Sequence, residues 1–149
     1  MVASDDMSVD MQKFEAVSTL VHQTHRKMWD EWYSGFSYVR ARLQIELSDQ
    51  CSGYVHSNNQ IILAIPAGNL DDTDILDASD WPIWKRELTH EMLHEWQMKT
   101  PCVPTPEAQS LCRYAPQGCG RGHDADFFQA IIEKAPYFGM TPEDLIARI

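Results

Sequence analysis

Basic residues are scarce in this chain. It has 12 Lys and Arg against 22 Asp and Glu, for a formal net charge of −10 and a pI near 4.8. Such a surface repels polyanions unless its cations are gathered in one place. The densest cationic runs are His25-Arg26-Lys27 and Arg40 with Arg42, and neither makes a basic stripe. Weak or no direct nucleic-acid binding by this chain alone is expected. Long apolar runs are also missing, and none approaches the ~20 residues needed to span a bilayer. The opening residues, MVASDDMSVDMQKF, hold no basic segment followed by an apolar one, so no signal peptide is expected. Cysteine is sparse too: Cys51, Cys102, Cys112 and Cys119 form no CxxC pair. Without an export signal, the expectation is reduced thiols in a cytoplasmic protein.

What remains describes one ordinary domain. The 149 residues are 44% hydrophobic and 23% charged, with no internal repeat and no low-complexity segment. Residues 1–9 are polar and expected to fray, leaving a folded domain over 10–149. From Asp10 to Tyr33 the apolar positions Met11, Phe14, Val17, Leu20, Val21, Met28, Trp29 and Trp32 recur at helical spacing. In YVRARLQIEL, residues 38–47, apolar and polar side chains alternate, which predicts a half-buried strand. After the turn-rich SDQCSGYVHSNNQ comes a second short strand, IILAIP at 61–66, with a further strand around Gly53 to His56. Together these predict a small antiparallel sheet.

Residues 67–80 read as a loop. Asp80-Trp81-Pro82 then opens a helix, with Asp80 as the N-cap candidate, that runs to about Lys99 and stops before Pro101. Residues 101–121 read as one long loop rich in proline and cysteine. HDADFFQAIIEKA predicts an amphipathic helix, and Thr141-Pro142-Glu143-Asp144 opens a short last one with a capping signature.

The helix near residue 90 carries ELTHEMLHEWQM. His90 and His94 are four apart, so their rings project from one face about a turn apart and can share a metal ion. Glu91 is turned ~100° from His90. It stands beside the metal without ligating it, as a base for a metal-activated water requires. Trp84, Leu88, Met92 and Trp96 form the apolar row that packs. A catalytic zinc needs a third protein ligand. His123 follows Gly120-Arg121-Gly122 and opens an amphipathic helix, 29 residues after His94. That helix start could fold back over the first and supply the third imidazole. His22 and His25, three apart on the first helix, form a weaker candidate pair, and His56 falls in a turn. Cys102, Cys112 and Cys119 with His123 offer a rival structural zinc site. Their spacing, C-x9-C-x6-C-x3-H, lacks the short knuckles of common zinc fingers.

HEMLHEWQ followed by GHDADFF resembles the SprT-like zinc metallopeptidases, the family that includes the Spartan proteases. The resemblance rests on H-E-x-x-H followed by Gly122-His123 with Phe127, and on GYVHSNNQIILAIP as a hairpin before the active helix. It covers roughly residues 10–140. It implies a single α+β, zincin-like domain with an N-terminal helix, a small antiparallel sheet, the active-site helix and a C-terminal helix carrying the third ligand. It also implies Zn2+ on His90, His94 and His123, and Glu91 as catalytic base. Asp124 stands where the family commonly has glycine; there it can cap the helix or support a ligand imidazole. Tyr114, Arg121 and Tyr137 are the chemically able oxyanion donors. The activity expected is hydrolysis of peptide bonds in a protein substrate, with DNA-associated proteins suggested by the relatives. Two alternatives remain. One is a catalytically silent zincin-fold module that grips a partner, as an antirestriction factor does. The other is the structural zinc protein built on the cysteines.

Overall fold

The computed structural model describes residues 2–33, 38–69, 81–100, 103–111 and 123–149. Among the described residues, five α-helices accompany a three-stranded sheet, making an α+β architecture. Helix α1, Val2–Trp32, starts within the segment expected to fray, so the chain is helical from Val2 onward. Its buried stripe is Val17, Val21, His25, Met28 and Trp32. These positions recur every three or four residues, the spacing of one helix face.

Strands β1 (Arg42–Leu47), β2 (Gly53–Val55) and β3 (Gln60–Ile65) follow. The expected antiparallel sheet is in fact mixed, in the order β1-β3-β2. β1 runs parallel to β3, from Arg42 opposite Gln60 to Leu47 opposite Ile65, and β2 pairs antiparallel with β3. The reason lies in the turn-rich connector. It contains β2, which takes the antiparallel place beside β3. β1 lies on the other side of β3, and since the chain reverses once between β1 and β2 and again between β2 and β3, β1 runs with β3. The predicted alternation in β1 also weakens at its ends, since Val39 and Leu47 are exposed. β3, by contrast, is central, and Ile61, Leu63, Ala64 and Ile65 are all buried. A strand paired on both sides and covered on its faces reads as a continuous apolar run.

Helix α2, Ile83–Lys99, packs against β3 and crosses the core. Pro82 occupies its N-cap position, displacing the role expected of Asp80, which lies outside the described residues. The expected row is in place: Trp84, Leu88, Met92 and Trp96 are buried. Within the stretch read as one loop, the structure has a short helix α3, Pro106–Leu111. Thr105 Oγ1 accepts from the Ala108 amide at 3.3 Å, so this helix has its own cap. Helix α4, Ala125–Lys134, buries Phe127, Phe128, Ala130 and Ile131. A 3-10 turn, Ala135–Phe138, ends at Gly139 with φ +65°, a left-handed conformation that suits glycine. Helix α5, Pro142–Arg148, has the predicted cap, Thr141 Oγ1 accepting from the Asp144 amide at 3.2 Å.

Two buried charged groups tie the helices together. Lys134, 2% exposed, donates to the Trp32 carbonyl at 2.6 Å, so it satisfies a free carbonyl at the end of α1. Its ammonium lies 3.5 Å from the Trp96 ring centroid. Glu95 is fully buried, and its Oε2 accepts from the Ala41 amide at 2.9 Å and from Lys99 at 2.6 Å. That fastens the start of β1 to the end of α2. Cys51 is disulfide-bonded, which corrects the expectation that all four cysteines are free thiols. Among the described residues, no helix is long and apolar enough to cross a membrane.

Candidate metal centre

The middle of α2 gives two of the three histidines. His90 and His94 lie on one face, ring centroids 4.9 Å apart. The start of α4 brings the third, because Phe127 and Phe128 bury that helix against α2 and carry His123 with it. The three Nε2 atoms converge: His90 to His94 at 3.1 Å, and His90 to His123 at 2.9 Å. Phe127 lies beneath all three rings, with centroids 4.3 Å from His94, 5.0 Å from His123 and 5.2 Å from His90. It gives the site an apolar floor and holds the imidazoles in place.

The electrostatics favour a cation here. Burial, and then the neighbouring imidazoles, lower His90 to about 3. Burial is also the first cause that holds His94 near 4, and it lowers His123. All three rings are therefore neutral at pH 7, and a metal has no proton to displace from them. A hydrogen bond joins His90 to the backbone of Ile149; it favours the charged ring, so the ring N–H donates and the backbone oxygen accepts. Its Nε2 faces the Nε2 atoms of His94 and His123. Ligands about 2.0–2.1 Å from a tetrahedral ion lie roughly 3.3 Å apart. The two distances from His90 are within a few tenths of that, and all three candidate ligand atoms lie within 4.8 Å of one another. Among the described residues this is the one group of three or more His, Cys, Asp or Glu side chains that can hold a metal ion.

Glu91 is 7% exposed and faces β2, whose Tyr54 amide donates to its carboxylate. Burial pushes Glu91 up to about 8, with the Glu87 carboxylate one turn earlier adding to the effect. Glu87 is itself raised by burial and is held by Ser52, whose Oγ donates to Glu87 Oε2 at 2.6 Å and accepts from the Ala64 amide at 2.9 Å. A cation on the histidines would favour the Glu91 carboxylate. A carboxyl tuned near neutrality suits a group that both takes and returns a proton.

The other candidates fall elsewhere. His22 and His56 are exposed, and His25 is buried within α1. Tyr137 packs over Lys134, its ring centroid 4.9 Å from Nζ. Tyr114, Arg121, Cys102, Cys112 and Cys119 lie outside the described residues. Sequence reasoning missed Ser52, Glu87 and Gln97 around the site. For Gln97 a signal existed, since it lies three residues after His94 and so on the same face. For Ser52 there was none, because only the sheet brings it to α2. No family model, curated protein or solved structure matches the chain.

Proposed function

We propose that this protein is a zinc-dependent metallopeptidase of the SprT-like kind, with His90, His94 and His123 as ligands and Glu91 as general base. The observation that carries the reading is the convergence of three imidazole Nε2 atoms with a buried carboxylate on the residue after the first of them. Three neutral imidazoles favour a borderline metal such as zinc over calcium or magnesium, which prefer oxygen. Zinc, when bound, supplies Lewis-acid activation of a water and of the scissile carbonyl. Glu91 accepts the proton of that water and returns it to the departing amine. The Tyr54 amide keeps the carboxylate aimed while it does so. Phe127 covers one side of the three rings and limits bulk water there, which strengthens charge interactions on that side. A carboxylate that merely bordered a structural metal would have no need of this environment, which favours a peptidase over a silent binding module.

The test is hydrolysis of unfolded casein, or of the chain itself, with and without a chelator. Activity that disappears on chelation and returns with about one zinc per chain is expected. A metal-loaded chain that cleaves neither substrate but holds a protein partner would move the assignment to the binding module.

A further inference from the structure

Gln97 lies at the contact between α2 and the start of α4. Its Oε1 is 3.0 Å from His94 Nδ1, and its Nε2 donates to Asp124 Oδ1 at 3.2 Å. Asp126 also takes a side-chain hydrogen bond from Gln97. A carboxylate only accepts, whereas a glutamine amide has one donating end and one accepting end. The carboxylate pair therefore claims the NH2 end. The carbonyl end is left facing His94, and a carbonyl opposite a ring nitrogen requires that nitrogen to carry the hydrogen.

We propose that Gln97 is a positioning residue for the metal centre: oriented by Asp124 and Asp126, it holds His94 with the hydrogen on Nδ1 and the lone pair on Nε2. The inference rests on the metal-site reading above. It adds that the segment delivering the third ligand also prepares the second. Asp124 follows His123 directly, so docking of α4 places His123 and, through Gln97, sets the tautomer of His94 in the same movement. Each imidazole nitrogen is set by the hydrogen bond the other one makes, and partners of ligand histidines typically change metal affinity ~10–100-fold. Asp124, at the N-cap of α4, makes no side-chain cap hydrogen bond of ordinary geometry, which leaves its Oδ1 for Gln97.

The experiment uses the full chain, metal-free and zinc-loaded, at pH 7.5. Two-bond nitrogen–proton correlation spectra of the metal-free protein report the His94 tautomer, and chelator competition reports zinc affinity. In the wild type His94 is expected as the Nδ1–H form. Gln97→Leu is expected to lose that preference and to bind zinc ~10–100-fold more weakly. The triple variant Gln97→Glu with Asp124→Asn and Asp126→Asn reverses donor and acceptor throughout but restores an oxygen opposite His94. It is expected to recover both the tautomer and most of the affinity. An Nε2–H tautomer in the metal-free wild type overturns the proposal, and so does an unchanged tautomer in Gln97→Leu. A triple variant as weak as Gln97→Leu also overturns it, because the loss would then be one of local structure. Failure of the wild type to bind zinc would remove the metal centre itself, while the metal-free spectra would still decide whether Gln97 sets His94.

Discussion

Changing Glu91 to glutamine tests the base without touching a ligand. The amide keeps the size and one acceptor oxygen but cannot take a proton at neutral pH. Glu91→Gln is expected to fold, to keep its zinc, and to lose peptidase activity by ~10²–10⁴-fold, measured as casein turnover per bound zinc. His123→Ala is expected to do the reverse, lowering metal content sharply, whereas His22→Ala and His56→Ala leave it unchanged by elemental analysis. His25 makes a separate prediction. Burial first, then the nearby cations Arg40, His22 and Lys99, lower it from 6.5 to about 4. The fold thus prefers the neutral ring. Its stability is intact above the unfolded value of 6.5 and falls as the pH drops from there toward about 4, below which the loss levels off. The total is as much as about 3 kcal/mol. Urea denaturation at pH 7.5 and at pH 4.5 should show a smaller loss for His25→Leu than for the wild type; equal losses would refute the account.

Elements were legible where one side chain pattern decided them. The spacing of Val17, Val21, Met28 and Trp32 is enough to predict α1, and the Thr141-Pro142-Glu143-Asp144 cap is enough for α5. Thr105-Pro106-Glu107 carries much the same signature, yet α3 was hidden by the prolines and cysteines around it. The direction of β1 was not legible, because a run of alternating residues fits a parallel or an antiparallel neighbour equally. The cluster of three histidines was legible because a helix fixes the spacing of His90 and His94, and because Gly122-His123 precedes an amphipathic helix. The Ser52–Glu87 and Glu95–Ala41 contacts were not, since in each the two residues come from distant segments. Lys134 is of the same kind: a lysine on the buried side of α4 looks like an error until the end of α1 arrives beneath it. Lys134→Met keeps much of the volume but leaves the Trp32 carbonyl without its donor. A loss of about 2–3 kcal/mol is expected in chemical denaturation, from the hydrogen bond and the cation–π contact together.

For the whole molecule, the net charge of −10 sets what it can meet. If its substrates are proteins associated with DNA, the isolated chain is expected to bind DNA weakly and to release it at moderate salt, because few cations mean few phosphate contacts. Fluorescence anisotropy with single- and double-stranded oligonucleotides, titrated with salt, checks this. Tight binding at physiological salt would mean that the few cations are better gathered than their sequence suggests. The disulfide at Cys51 gives a second whole-chain measurement. In denaturant, the oxidised protein should titrate with at least two thiols fewer than the four of the reduced chain.

Two of the histidines lie on α2 and the third lies just before the N-cap of α4, and α2 and α4 are joined in the chain by a stretch containing α3. An ion held by all three binds only chains in which α2 and α4 are docked. Mass action then makes the folded population depend on metal supply: free zinc at a thousand times its dissociation constant adds about 4 kcal/mol. The melting temperature should climb with the logarithm of free zinc and drop on chelation, while His123→Ala should respond weakly to either. If the cluster holds an ion, scarce metal would cost the molecule its third ligand and its protection against unfolding together. A metal-free chain would then be cleared by proteases and a loaded one kept, so that abundance itself follows the free metal.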